Sequence, residues 1–136
     1  MLIMVVDGQG GGIGRAVIEA LLPKLPVGCE LYAFGTNSIA TSAMKKAGAH
    51  AVATGENSIC YYAGLADIIV GSIGIIAANA IMGELSPSMA TAIASSRATK
   101  VLIPMNKCNL RVAGLMEESL PIRVAQAVDM VLDTLA

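Results

Sequence analysis

The sequence has few charged and few aromatic side chains. Only 14% of its 136 residues are Asp, Glu, Lys or Arg, the formal net charge is −1, and the aromatic residues are three Tyr and one Phe, with no Trp. Binding to nucleic acid or to an anionic membrane usually needs a basic surface, and base stacking needs aromatic rings. The composition therefore predicts no nucleic-acid partner.

The sequence also has no long apolar run. Its longest apolar stretch, Ile68–Met82, is interrupted by Ser72 and Asn79 and is bounded by Asp67 and Glu84. This stretch is shorter than the roughly 20 residues that a membrane-spanning helix requires. We therefore expect no membrane partner.

Cysteine is scarce and its spacing is uninformative for metal binding. Cys29, Cys60 and Cys108 are an odd number of widely spaced thiols without a C-x-x-C pair. This pattern is typical of a reduced, cytoplasmic protein without a structural zinc site, and no other metal site is predicted.

Apolar residues, by contrast, make up 55% of the chain. A domain of this size has a large surface for its volume, and a free surface usually carries many charged side chains. The low charge content therefore predicts that another subunit covers part of the surface. We expect a homodimer or a larger even assembly. The segments Ile75–Met82 and Ser88–Ser96, including Ala92 and Ile93, are the candidate contacts because Glu84 is the only charge between Ile75 and Ser96.

Short apolar runs alternate with helical segments along the whole chain, which predicts a single α/β domain, residues 1–136. The expected fold is a three-layer doubly wound, mostly parallel five- or six-stranded Rossmann-like sheet. The predicted strands are Leu2–Val6, Glu30–Phe34, Ala51–Ala53, Ile68–Val70, Val101–Ile103 and a weaker sixth, Leu110–Ala113. The predicted helices are Ile13–Leu25, one from an N-cap at Ser38 to Ala47, Asn57–Leu65, Ile75–Met82, Ser88–Arg97 after an N-cap at Ser86, and one from Pro121 whose buried stripe is Ile122, Ala125, Val128, Val131, Leu132 and Leu135.

The strongest functional signal is a glycine-rich loop between the first strand and the first helix. The loop consists of Asp7, Gly8, Gln9, Gly10, Gly11, Gly12, Ile13 and Gly14. Glycine lets backbone amides approach an anion closely, and a helix N-terminus adds positive dipole. The loop therefore predicts a phosphate site, whereas a purely structural tight turn would need only one or two glycines. Asp7 would repel the phosphate unless it accepts amide hydrogen bonds, which we favour, or binds a cation.

Ligands of doubly wound sheets bind beyond the carboxyl ends of the strands. That rule adds Thr36 and Asn37 after the second strand, and Gly71, Ser72 and Gly74 after the fourth, to the cofactor site. The expected cofactor is NAD(P) or another adenine nucleotide. Alternatively, Thr36–Ser38 only cap the second helix.

A polar run after the fifth strand provides the candidates for substrate contact: Asn106, Lys107 and Cys108. Lys107 would offer a positive charge, and Cys108 would be reactive if such a neighbour lowered the pKa of its thiol. The alternative is a polar loop with a half-buried thiol.

The G-x-x-x-G-x-G spacing of Gly8, Gly12 and Gly14 resembles the cofactor loop of the short-chain dehydrogenases/reductases, and Asp67–Gly74 resembles that family's fourth strand. The family's catalytic Tyr-x-x-x-Lys is missing, so the resemblance implies the phosphate loop without the catalysis. Over most of its length the chain resembles a family of short bacterial proteins of unknown function that share the Asp7–Gly14 signature.

These observations predict a small phosphorylated ligand, and they leave three functions open. The first is a nucleotide-binding protein, a class that includes small oxidoreductases. The second is a non-catalytic sensor or partner subunit, and the third is an enzyme that binds a sugar phosphate. The sequence shows no evident acid, base or nucleophile that would assign a reaction.

Overall fold

A five-stranded parallel sheet forms the centre of the protein. The computed structural model describes residues 1–105 and 109–136. The strands are β1 (Leu2–Asp7), β2 (Glu30–Gly35), β3 (Ala51–Thr54), β4 (Ile68–Ser72) and β5 (Thr99–Ile103), and their order in the sheet is β3-β2-β1-β4-β5. All four neighbouring pairs are parallel. The predicted doubly wound α/β architecture is confirmed.

Helices cover both faces of the sheet. They are α1 (Gly12–Leu21), α2 (Ser38–Lys46), α3 (Glu56–Ala63), α4 (Pro87–Ser95) and α5 (Leu120–Leu135). Short 3-10 turns follow α1 at Leu22–Lys24 and β4 at Ile73–Ile76. In β1, Ile3 and Val5 pack into a core cluster with side chains of α1, α2 and α5, whereas Met4 and Val6 pack into a second cluster with α3 and α4. Successive side chains of a strand point to opposite faces, so β1 contributes to both layers of the core.

Side chains of N-cap residues fix where α2 and α4 begin. Ser86 accepts a hydrogen bond from the Met89 amide and begins α4, as predicted. The N-cap of α2 is Asn37 rather than the predicted Ser38, because the Asn37 Oδ1 accepts from the Ala40 amide at 2.9 Å. Either residue type is a good N-cap, and the sequence pattern alone placed the start one residue late.

Three predictions about the strands and helices were wrong: a strand, a helix and the buried face of α5. Among the described residues, the sheet has no sixth strand, and the predicted strand Leu110–Ala113 is irregular and largely exposed. The predicted helix Ile75–Met82 is a 3-10 turn followed by tight turns. The buried stripe of α5 also differs, because Ile122 and Ala125 are exposed and Val124 and Ala127 are buried. None of the helices in residues 1–105 and 109–136 is long and apolar enough to cross a lipid bilayer.

Ile93 belongs to the core rather than to the surface, since its side chain is fully buried in the cluster between β1, β4, α3 and α4. The predicted role of Ile93 as a subunit contact is therefore wrong. We expect Ile93→Ala to lower the free energy of unfolding by about 2–5 kcal/mol, because a core truncation loses burial and leaves a cavity. Urea denaturation measures the difference. Ile39→Ala is the matched control, since Ile39 on α2 is 69% exposed, and equal losses in the two variants would contradict the assigned packing.

Candidate functional site

Two glycine-containing loops lie side by side at the carboxyl edge of the sheet. Because β1 and β4 are neighbours, the loop after Asp7 lies beside the residues that follow Gly71, as predicted. A Cβ on Gly71 would lie 2.7 Å from the Val6 carbonyl oxygen, so glycine is needed for this close approach. Between the loops is a crevice of about 80 Å³ whose lining includes Gly8, Ser72 and Ile81.

Asp7 is the buried centre of the glycine-rich loop. One carboxylate oxygen accepts from the Gly8 amide at 2.8 Å and the other from the Gly14 amide at 2.7 Å. Burial raises the pKa of Asp7, and the amide hydrogen bonds from Gly14, Gly8 and Ile13 oppose that rise. Amide bonding by Asp7 is therefore confirmed. The Gly8 and Gly14 amides are already used by the protein, so a ligand cannot rely on them.

The glycines of this loop have different roles. Gly11 has a φ of +74°, and a Cβ on it would lie 2.8 Å from the Ala40 carbonyl oxygen. A Cβ on Gly14 would overlap the Met44 sulfur. Gly10 and Gly12, in contrast, have no atom within 4 Å of their Cβ positions apart from adjacent backbone. Gly11 and Gly14 are thus explained by backbone conformation and packing, whereas packing does not explain Gly10 and Gly12.

Gly10 and Gly12 also carry the amides that remain available at the start of α1. Within the described residues, neither backbone N–H donates a hydrogen bond to another protein group. Both amides lie in the exposed part of the loop, where the dipole of α1 adds positive potential. An anion that approaches the N-terminus of α1 would find two unused donors there.

A third set of donors converges on a carboxylate that the sequence did not indicate as a site residue. The Glu84 Oε1 accepts from the Thr36 hydroxyl at 2.6 Å, the Asn37 Nδ2 at 2.7 Å and the Gln9 amide at 2.9 Å. These hydrogen bonds, that of Thr36 above all, lower the pKa of Glu84 despite some burial. One feature of the sequence could have indicated Glu84 as a site residue: it is the only charged residue between Ile75 and Ser96.

Thr36 and Asn37 lie beside the glycine loop, at the position predicted for a cofactor contact. Asn37 serves two purposes, since its Oδ1 caps α2 while its Nδ2 donates to the Gln9 carbonyl and to Glu84. Asn37 is therefore a helix cap, as the alternative predicted, but it does not only cap the helix. Ser72 is buried at the end of β4, and Gly74 lines the crevice.

The predicted substrate contacts Asn106, Lys107 and Cys108 lie outside the described residues. In the part of the chain that the structure describes, no group of three His, Cys, Asp or Glu side chains is placed to hold a metal ion. A second, larger depression of about 630 Å³ lies between α1 and α2, and Gly10, Arg15, Ser38 and Lys46 are among its lining residues. Arg15 is already paired with Glu19 at 2.8 Å.

Asp7→Ala tests the role assigned to the buried carboxylate. The variant leaves the Gly8 and Gly14 amides without acceptors, so we expect the free energy of unfolding to fall by about 1–3 kcal/mol at neutral pH. Asp129→Ala, at an exposed position of α5, is the control and should change little. Urea denaturation measures both, and equal stabilities would contradict the role of Asp7.

The raised pKa of Asp7 gives this comparison a pH dependence. Because the folded state holds the Asp7 proton more tightly than the unfolded state, stability contributed by Asp7 should decrease as pH rises from the ordinary aspartate pKa through the raised one. The advantage of the unmutated protein over Asp7→Ala should therefore be larger below this window than above it. An advantage that grows with rising pH would show that the amide bonds outweigh burial.

Comparison with solved structures relates the fold to a flavin protein. The chain is similar to a dodecameric FMN-dependent UbiX-like decarboxylase from Escherichia coli O157:H7, with a TM-score of 0.54 and 16% sequence identity. The match covers 98% of this chain and 93% of that one. At this identity, the similarity shows a shared fold.

Comparison with the curated proteins found no match. A family model, described as a domain of unknown function (DUF3842), matches residues 2–136, which is nearly the whole chain. This match agrees with the predicted membership of an uncharacterised family. The relationship to the short-chain dehydrogenases/reductases stays a prediction. The chain belongs to the DUF3842 family.

Proposed function

We propose that this protein binds a nucleotide and holds its phosphate at the glycine-rich loop. The observation that carries the proposal is the pair of unused amides, Gly10 and Gly12, at the N-terminus of α1. Backbone amides at a helix N-terminus are a common phosphate site because the donors and the helix dipole act together. The adjoining crevice, between the loops that follow β1 and β4, lies at the switch point where doubly wound sheets bind ligands.

The identity of the nucleotide is open among ligands that share this phosphate chemistry. NAD(P) and other adenine nucleotides are the ligands that the loop spacing favours, and the FMN-dependent fold neighbour adds a flavin nucleotide to the candidates. The phosphate end fits the free amides. The crevice of about 80 Å³ is smaller than the roughly 300 Å³ at the lower end of cofactor pockets, so binding of the remainder requires the crevice to widen.

We assign no reaction to the site. Among the described residues that line the crevice, Asp7 is the ionisable one, and its carboxylate accepts hydrogen bonds from two amides of the loop. Binding without chemistry and a reaction completed by a second subunit are both compatible with this arrangement. Three widely spaced cysteines support a reducing compartment, and the cytoplasm is the one that we propose.

Gly12→Val tests the phosphate site while sparing the fold. Space is available for a Cβ at Gly12, so the variant should fold, yet its branched side chain would stand in the approach to the free amides. A ligand at 100 times its dissociation constant stabilises a protein by about 2.7 kcal/mol. We expect one of NADH, NADPH, AMP or FMN to raise the melting temperature of the unmutated protein by several degrees, and Gly12→Val to abolish the shift.

Ala125→Val, at an exposed position of α5, controls for the cost of a branched residue in a helix. A sugar phosphate in the same panel tests the alternative ligand class. The proposal is wrong if no phosphorylated compound shifts the melting temperature, or if Gly12→Val responds as strongly as the unmutated protein. Native mass spectrometry of freshly purified protein gives an independent identification of any ligand that remains bound.

We also propose that the protein is a homo-oligomer. Apolar side chains are exposed between β5 and the first turn of α5, and they include Val112, Leu115, Met116, Leu120 and Ile122. Such an accumulation of exposed apolar side chains is typical of an interface. The dodecameric state of the fold neighbour is compatible with this proposal.

Sedimentation at micromolar concentration tests the oligomer. We expect an assembly larger than the 13.9 kDa chain, and we expect Met116→Glu to weaken it, because burial of an unpaired charge in an interface is costly. Met116 is 76% exposed. Val27→Glu, at a fully exposed apolar residue elsewhere, is the control. A single 13.9 kDa species for the unmutated protein would contradict the proposal.

A further inference from the structure

We propose that Glu84 is an internal substitute for the phosphate of the ligand. Its carboxylate occupies an anion subsite formed by the Gln9 amide, the Thr36 hydroxyl and the Asn37 side-chain amide, and a ligand phosphate displaces it on binding. This inference rests on the proposed function and extends it, because it adds a second part to the phosphate site and names the group that competes for it.

The geometry of the donors supports an anion subsite. Three N–H or O–H groups from two separate loops point at one oxygen atom, the Glu84 Oε1, over distances of 2.6 to 2.9 Å. A phosphate oxygen accepts the same hydrogen bonds as a carboxylate oxygen. The Gln9 amide also directly precedes the unused Gly10 amide in the loop, so the two sets of donors are adjacent along the chain.

The segment that carries Glu84 is held in an unfavourable backbone conformation. Asn79, Ile81 and Met82 have φ values of +65°, +57° and +52°. This region is unfavourable for a β-branched residue such as Ile81. Residues 79–85 form a compact loop, in which the Asn79 amide donates to the Leu85 carbonyl at 2.8 Å. The side-chain contacts of Glu84 attach this loop to the glycine loop and to the edge of β2.

The same segment covers the crevice. Ile81 lines the crevice, and a Cβ on Gly8 would lie 2.8 Å from the Ile81 side chain and 3.0 Å from the Glu84 Oε1. Displacement of Glu84 would free the three donors, and a movement of its loop along with it would take Ile81 away from Gly8. One movement would open the phosphate subsite and widen the crevice for the remainder of the nucleotide.

A different role for Glu84 makes the opposite prediction. Carboxylates at the end of the second strand of dinucleotide-binding folds accept hydrogen bonds from ribose hydroxyls, and Glu84 lies against Thr36 and Asn37 at that edge. If Glu84 bound ribose, its removal would weaken binding of a nucleoside phosphate. If Glu84 competes with phosphate, its removal strengthens binding of both a nucleoside phosphate and phosphate alone.

Isothermal titration calorimetry with AMP, FMN and inorganic phosphate separates these roles. We expect Glu84→Ala to bind two probes about tenfold more tightly than the unmutated protein does: inorganic phosphate, and whichever nucleotide the unmutated protein binds. A tenfold gain corresponds to a free protein in which Glu84 occupies the subsite in about nine-tenths of the molecules. Glu84→Gln keeps the shape and removes the charge, so its gain should be smaller. Asp133→Ala removes the same charge from an exposed position of α5 and should change nothing.

Amide hydrogen exchange at Gln9 gives a readout that does not depend on affinity. Loss of Glu84 should speed exchange of the Gln9 amide in the free protein, and saturating nucleotide should slow it again in Glu84→Ala. Weaker or unchanged binding in Glu84→Ala, beside normal binding by the unmutated protein, would overturn this inference alone. Failure of the unmutated protein and both variants to bind any probe would overturn the proposed function as well.

Discussion

The hydrogen bonds between the Asp7 carboxylate and the Gly8 and Gly14 amides fix the shape of the loop on which the proposed site depends. A buried carboxylate without partners would be costly, so the chain must bring both amides to it. Their convergence closes the loop, places Gly11 in the left-handed region and sets the start of α1. Gly10 and Gly12 are left on the outside of the loop, where their amides are available for a ligand.

The sheet supplies the surroundings of this loop. β1 lies between β2 and β4, so the segments that follow these strands reach the loop from opposite sides. Thr36 and Asn37 come from one side, and Ser72 and Gly74 from the other. Glu84 then connects the segment after β4 to the edge of β2 across the end of β1. The arrangement combines an open anion site at α1 with a neighbouring donor set that the protein itself fills.

Features with a local cause were predictable from the sequence. Strands buried on both faces read as short apolar runs, and the glycine loop between β1 and α1 was recognisable because its residues are consecutive. The placement of β1 beside β4 followed from the usual order of doubly wound sheets. Asn37 and Ser38 are both good caps, so an error of one residue there is small.

Features that depend on distant contacts were not predictable in the same way. Glu84 meets its donors across 47 to 75 positions of sequence, and no local pattern marks such a contact. The apolar residues between Ile75 and Met82 suggested a helix, yet the loop that carries Glu84 needs left-handed residues at Ile81 and Met82. In α5, the packing against α1 and β5 selected Val124 and Ala127 over Ile122 and Ala125.

The most direct test of the central claim is the perturbation of individual backbone amides by a nucleotide, measured by two-dimensional ¹H–¹⁵N NMR with AMP and, separately, with FMN. The account predicts that the Gly10 and Gly12 amides, which are unused in the free protein, move downfield as they donate to phosphate, and that the Gln9 resonance also changes as its acceptor changes from Glu84 to phosphate. Residues of the depression between α1 and α2, such as Ser42 and Lys46, should change far less. Saturable shifts confined to the α2 side of that depression, at Ser42, Ala43 and Lys46, with the Gly10 and Gly12 amides unmoved, would contradict the account.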